Sequence, residues 1–281
     1  MIDDVIAMRP RMLSVAYRML GSIADAEDAV QDAFVRYHTA GGVSSPEGFL
    51  IRATTRLCID RLRRRRRREY VGPWVPEPVE TRGAARGDAL AESLSQAFLL
   101  LLERLTPQER AAFLLRAVFD YEYEEIGEVL GKSEAAVRKL MSRSRARLGF
   151  DDDHRFPATR ARAEGLADRF VAACRAGDVK AVEAMLAEDA EVHSDGGGKA
   201  SAARVVVRGR DRAARFLAGA FRKPWLREVG PASVNGEPGL VFRSDGAVVA
   251  VLSLRIERDV RAVYFTLNPD KLARWAAAEV E

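Results

Sequence analysis

Apolar residues recur every three or four positions through the first half of the chain. Between residues 8 and 20 they fall at Met8, Met12, Val15, Ala16, Met19 and Leu20, close to the period of an amphipathic helix. Gly21 and Ser22 end that pattern. Residues 25–38 repeat it with Ala26, Ala29, Val30, Ala33, Phe34 and Tyr37, and place Asp25, Glu27 and Asp28 where a helix dipole favours acids. A small-residue loop over 39–45 leads to Ser45-Pro46, a capping side chain followed by proline in the first turn. The third helix carries Phe49, Leu50, Ala53, Leu57, Ile59 and Leu62. Residues 71–88 contain Gly72, Pro73, Pro76, Pro78, Gly83 and Gly87 and sustain no helix. An apolar helix over 89–105 is expected next, and Thr106-Pro107-Gln108-Glu109 is a capping box that opens another, ending near Phe119. Residues 122–130 and 134–148 then form two helices around Gly131-Lys132-Ser133, a helix-turn-helix.

The grammar changes after the acidic stretch Asp151-Asp152-Asp153. Helices at 160–176 and 179–186 precede strands at 191–194 and 204–208 and a helix at 212–221. Strands follow near 226–234, 239–243, 247–256 and 260–268. Asn235-Gly236 and Ser244-Asp245-Gly246 are hairpin signals. Helices followed by an antiparallel sheet describe an α+β domain. The fold class is therefore multi-domain: two all-α domains, the second a helix-turn-helix, and an α+β domain. The expected boundaries are 1–70, a linker 71–88, 89–150, a second linker 151–159, and 160–281.

Charge sharpens this picture. The net charge of the 281 residues is only +4, but it is unevenly spread. Residues 48–70 hold nine arginines against Asp60 and Glu69, and seven of those arginines fall within 61–68. Like charges so close repel on a helix unless a polyanion neutralises them, which points to nucleic acid and to salt-dependent binding. Residues 117–131 hold five acids and no base, whereas 132–148 hold six bases and one acid. Arg138, Lys139, Ser142 and Arg143 thus lie where a recognition helix meets bases and phosphates. No apolar run is long enough to span a membrane. With two distant cysteines, three histidines and neither CxxC nor HExxH, no metal site and no cofactor are expected. The cytoplasm is the expected compartment.

These motifs resemble extracytoplasmic-function sigma factors, the small members of the sigma-70 family. Residues 25–34, Asp-Ala-Glu-Asp-Ala-Val-Gln-Asp-Ala-Phe, are similar to the family's helix for core RNA polymerase, which implies polymerase contacts at Asp25, Asp28, Gln31 and Phe34. Residues 49–53 and 60–63 resemble its minus-ten helix. The resemblance implies phosphate contacts at Arg56, Arg61, Arg63, Arg64 and Arg65, with the melted strand's flipped base received by the loop at 39–45. Residues 105–110 and 123–143 resemble the helix-turn-helix for duplex promoter DNA at the minus-thirty-five element, with Ser133, Arg138, Lys139, Ser142 and Arg143 as its contacts. Phe49 stands where many members carry Trp.

Three further motifs resemble the subgroup fused to a SnoaL-like, NTF2-like cone. They are Trp74-Val75-Pro76-Glu77-Pro78, Asp195-Gly196-Gly197-Gly198-Lys199 and Asn268-Pro269-Asp270-Lys271-Leu272. The resemblance implies that the cone modulates the sigma domains in cis, with Trp74, Pro76, Glu77, Pro78, Asp195, Gly196, Lys199, Asn268, Pro269, Asp270, Lys271 and Leu272 as regulatory residues. Trp74 needs a cover, either its own helical domain or the 268–272 segment. Two readings stay open beside this: an independent helix-turn-helix regulator, and a ligand-sensing or enzymatic cone. For the latter, His193 and Asp195 share a strand face, and Phe170, Phe216, Trp225, Phe242 and Phe265 are available to line a cavity for a small molecule.

Overall fold

The computed structural model describes residues 2–65, 70–81, 94–149, 160–226 and 228–277. The chain divides into two compact units. One joins 1–69 to 99–154, and the other joins 70–98 to 155–281. The linker at 151–159, residues 82–93 with the first part of the expected 89–105 helix, and the side chains of Arg65 and Trp225 lie outside the described residues.

The first unit is helical. A short helix α1 (Ile2–Ala7) precedes α2 (Arg9–Leu20), α3 (Ile23–Ala40) and α4 (Pro46–Arg65), and these last three pack mutually. Ser22 caps α3 by accepting from the Asp25 N–H at 3.3 Å, so the helix starts two residues before the hydrophobic pattern suggests. Met12, Met19, Ala26, Ala33, Leu50 and Ile51 form its buried seam.

The helix α5 (Gln96–Leu102) carries the boundary between the units, which falls between Phe98 and Leu99. It is followed by α6 (Pro107–Ala117), α7 (Tyr123–Leu130) and α8 (Glu134–Leu148). Both arms of the Thr106–Glu109 capping box are made, at 2.9 and 3.3 Å. Glu109 is buried and also meets Arg147 of α8 at 3.1 Å, which fixes α8 against α6. Arg56 of α4 donates to the Val129 carbonyl at 3.0 Å, and the buried Arg110 donates to the Met19 carbonyl at 2.8 Å. The two helical groups are thereby joined within this unit. Burial pushes the neighbouring Arg18 down to about 10.

The second unit is a six-stranded sheet between two layers. Helices α9 (Arg160–Ala176) and α10 (Val179–Met185) lead into β1 (Leu186–Asp195) and β2 (Val207–Arg208). Then come α11 (Arg210–Phe221), β3 (Glu228–Val234), β4 (Glu237–Ser244), β5 (Ala247–Ile256), β6 (Val260–Thr266) and α12 (Pro269–Ala277). The strand order is β2-β1-β6-β5-β4-β3. The sheet is not wholly antiparallel as expected, because β1 and β6 run parallel. The long excursion through α11 and three hairpins lets the last strand return beside the first in the same direction.

Alternation assigns the two faces. Val192, Leu240, Phe242, Leu252 and Phe265 join the helices α9 to α11 in one core. Val234, Val241 and Val251 point the other way, where Leu272 and Trp275 of α12 cover them. The sequence pattern stops at the Asn268 motif and misses α12, although Leu272 and Trp275 stand at helical spacing. Burying one such side chain is worth about 1.5–3 kcal/mol.

Helix α7 admits only glycine at the point where it faces the turn of the helix-turn-helix. A Cβ on Gly127 would lie 2.7 Å from the Lys132 carbonyl oxygen, a backbone atom. Gly127→Ala is therefore expected to lower unfolding stability by about 1–3 kcal/mol, read from the urea midpoint. An unchanged midpoint would show that the turn relaxes freely.

Candidate nucleic-acid interface and linker clasp

The two faces expected to meet partners are both exposed within the helical unit. Along α3, Asp25, Asp28, Gln31 and Asp32 face solvent, and the apolar Val35 is 58% exposed beside them. Phe34 is half-buried. Asp32 and Val35 were not singled out in the sequence, though each stands one helical step from a residue that was. Along α8, Arg138, Lys139, Ser142 and Arg143 are exposed on one side, while Val137, Leu140, Met141 and Ser144 are buried on the other. Ser133 caps the helix through the Ala136 N–H at 3.3 Å. Arg138 is held by Glu134 at 2.6 Å and lies over the Tyr123 ring at 4.3 Å, so it is oriented before any ligand arrives.

The arginines of α4 divide into two sets. Arg61 bonds Asp32 at 2.8 Å and lies 3.6 Å from Asp28, and Arg56 holds Val129. Both are engaged inside the unit. Arg63 and Arg64 are exposed, Arg63 in a loose pair with Asp60 at 3.4 Å. Such surface pairs are worth about 0–1 kcal/mol and exchange readily for a phosphate. The expected loop at 39–45 begins only at Gly41, because Thr39 and Ala40 are the last residues of α3, and it is open there: a Cβ on Gly41 or Gly42 meets nothing within 4 Å.

In the second unit the three short motifs converge on one carboxylate. Asp195 ends β1 with no exposed surface. Its Oδ1 accepts from the Tyr70 hydroxyl at 2.6 Å and the Gly197 N–H at 3.0 Å. Its Oδ2 accepts from the Lys271 ammonium at 2.6 Å and the Val75 N–H at 2.9 Å. Lys271 also donates to the Val75 carbonyl, and its Nζ lies 4.7 Å from the Trp74 ring centre and 5.1 Å from that of Tyr70. The 268–272 segment thus does cover Trp74, through a cation–π contact. Asn268 donates to the Tyr70 hydroxyl at 3.0 Å. A Cβ on Gly197, whose φ is +58°, would sit 2.2 Å from the Asn268 amide, so the close approach excludes other residues there.

The rest of the linker is laid on the sheet. Val75, Pro76, Glu77 and Pro78 are buried. Trp275 donates its indole N–H to the Pro78 carbonyl at 2.9 Å. Gln96 donates to the Pro76 carbonyl at 2.7 Å and accepts from Ser253 at 2.7 Å. Beyond Pro78 the linker pairs along the free edge of β3. Glu80 bridges Val234, Thr81 donates to the Ser233 carbonyl at 2.9 Å, and Asn235 exchanges bonds with Val79 at 2.8 and 2.9 Å. An exposed sheet edge invites such pairing. Asn235 shapes the hairpin, as its sequence suggests, and also grips the linker. Tyr70, Gln96, Asn235 and Trp275 are the members the motifs did not name. Lys199 and Asp270 form an exposed pair at 2.6 Å on the rim.

His193 and Asp195, the pair behind the enzymatic reading left open above, do share a face, but it is the linker-side face of β1. Ser194 points the opposite way, into a cavity that Phe216 and Phe265 line. Phe170 and Phe242 are packed into the core with no exposed surface. His193 bonds Glu191 at 2.8 Å and stacks on Tyr264, which is buried, at 5.2 Å. Burial holds His193 below its ordinary 6.5, with the Glu191 bond offsetting only part of that effect. Burial pushes Glu191 up, but the bonds from His193 and Arg208 outweigh it and leave its carboxyl lowered.

Three family models match separate stretches of the chain. The family model described as Sigma-70 region 2 matches residues 5–68, Sigma-70 region 4 matches 95–148, and the SnoaL-like domain matches 167–259. The chain is 36% identical to the ECF RNA polymerase sigma factor SigJ of Mycobacterium tuberculosis, over 96% of this chain and 92% of that protein. The crystal structure of that sigma factor superposes with a TM-score of 0.77 at 33% identity, covering 97% of this chain and 98% of the other. The sigma factor SigG of the same organism is 34% identical over 50% of this chain and 45% of its own length. No helix among the described residues is long and apolar enough to cross a membrane.

Two expectations follow from the clasp and its neighbour. Tyr70→Phe removes one donor from a buried carboxylate and should cost about 1–3 kcal/mol, measured by denaturant unfolding of the C-terminal unit's transition. No loss would mean that water replaces the hydroxyl. For His193, the folded value lies below the unfolded one, so the unfolded chain binds the extra proton and stability falls as pH drops below about 6.5. The melting temperature of the native protein should therefore fall more between pH 7 and 5.5 than that of His193→Gln. Equal slopes would contradict this. The contribution of Glu191, whose folded value is lowered, is lost only at more acid pH.

Proposed function

The chain belongs to the extracytoplasmic-function sigma factors of the sigma-70 family, and from that premise we propose how its surfaces divide the work of initiation. The protein binds core RNA polymerase and directs transcription from the promoters it recognises. The observation that carries the division is the pair of exposed faces on one helical unit, acidic along α3 and basic along α8. In our reading Asp25, Asp28, Gln31 and Phe34 dock on polymerase, a charged rim around an apolar anchor. Arg63, Arg64 and Arg65, joined by Arg56 and Arg61 once these exchange their internal partners, hold phosphates near the minus-ten element. Phosphate contacts position the strand without specifying sequence. The loop at 39–45 takes a flipped base. Ser133, Arg138, Lys139, Ser142 and Arg143 read the minus-thirty-five element in the major groove.

The SnoaL-like domain acts in cis through the linker. The Asp195 clasp fixes residues 70–81, the chain segment that connects the two DNA-reading parts, so its grip sets the freedom of that segment. We read this domain as non-catalytic, since His193 and Asp195, the pair considered for a general base, face the linker. The protein works in the cytoplasm, with the polymerase.

Run-off transcription with core polymerase tests this reading. The full-length protein is expected to direct a promoter-specific transcript, and Asp25→Lys with Asp28→Lys to reduce it about tenfold or more, as expected for about 1.4 kcal/mol or more of lost docking. Specific duplex binding without any polymerase-dependent transcript would instead favour an independent helix-turn-helix regulator. Trp74→Ala should change transcript yield from the full-length protein; an unchanged yield would sink regulation through the linker.

A further inference from the structure

The C-terminal unit contains a cavity of about 410 Å³ bounded by α11, the end of β1 and the segment after β6. Ligand pockets span roughly 300–1,000 Å³, so this one has the volume for a small organic molecule. Its apolar wall comes from Phe216, Leu226 and Phe265. Its charged groups are Arg215 and Lys223, each with a partner of its own, and among the described residues no aspartate or glutamate lines it. Arg215 is paired to Asp211 one turn earlier on α11, with both side chains more than half exposed. A pair of that kind opens to a better anion at little cost. The buried Ser194 adds a hydroxyl to the inner wall.

We propose that this cavity binds a small amphipathic anion, an acidic head group at Arg215 and Lys223 with an apolar body against Phe216, Leu226 and Phe265, and that the linker senses its occupancy. The route is one residue long on each of two neighbouring segments. Ser194 and Leu267 line the cavity, and the residues that follow them, Asp195 and Asn268, hold the linker. The two segments are tied together where they pass, since the N–H groups of Leu267 and Asn268 both donate to the Asp195 carbonyl, at 2.7 and 2.9 Å. A molecule that displaces Ser194 or Leu267 therefore moves the carboxylate that orders Tyr70 and Val75. The sensing half rests on the linker reading above; the binding half does not.

The experiment uses the full-length protein and the fluorescent anion 8-anilinonaphthalene-1-sulfonate, displaced by decanoate, decanol or decyltrimethylammonium. Decanoate is expected to compete best and decyltrimethylammonium worst. Arg215→Gln with Lys223→Gln should weaken decanoate about tenfold or more, the loss expected for a hydrogen bond to a charged group, and leave decanol unchanged. Gly219→Leu should abolish both, because Gly219 lines the cavity and a Cβ there meets nothing within 4 Å, so the added side chain fills space without disturbing the fold. Decanoate should also change the amide hydrogen exchange of Val75. Absence of binding, equal competition by the cationic detergent, or indifference to both variants would overturn the site. Decanoate binding with Val75 exchange unchanged would overturn the sensing. Neither readout involves polymerase, so failure here is distinct from failure of the sigma-factor reading.

Discussion

An ionised carboxylate with no access to water has to be matched almost completely, and Asp195 is such a group. Removing an ion from water costs several kcal/mol even after relaxation, repaid only when geometry and hydrogen bonding are good. Two of the four donors to Asp195 lie in the linker, at Tyr70 and Val75, one lies on α12 at Lys271, and one is its own hairpin's Gly197. The linker is thus part of the domain's polar interior. If it leaves, a buried acid loses half of its donors, and Lys271 loses the Val75 carbonyl and two aromatic faces with it. The paired edge of β3 and the Trp275 bond to Pro78 extend the same attachment along twelve residues, 70–81.

In the proposed reading, this arrangement gives the SnoaL-like domain a handle on the linker. A sigma factor carries two DNA-reading parts, and residues 70–81 lie in the segment between them. Here residues 70–81 are held both by the buried ion cluster at Asp195 and by pairing along β3. The apolar contacts of α12 with Val241 and Val251 keep Lys271 in place while leaving the cluster itself polar and adjustable.

The helical half was legible because its signals are local. Capping residues Thr106, Glu109 and Ser133, the Gly131 turn and the 3.6-residue stripes all act within a few positions, and each makes the bond its sequence implies. Exposure of α8's basic face follows from the same periodicity. What stayed hidden depends on distant partners. That Arg56 and Arg61 are held inside the unit could not be read from an arginine run. The parallel pairing of β1 with β6 joins segments about seventy residues apart. His193 and Asp195 were rightly placed on one strand face, but alternation cannot say which face looks into a cavity. Tyr70 and Gln96 carry no motif, and the hairpin signal at Asn235 says nothing of its second role in holding the linker.

The central claim is that the Asp195 cluster holds the linker on the SnoaL-like sheet, and amide hydrogen exchange on Asp195→Asn tests it most directly. The account predicts that the N–H groups of Val75 and Val79 lose their protection while Leu252 and Val263, inside the sheet, keep theirs. Wild-type exchange at Val75 and Val79 in that variant would contradict it.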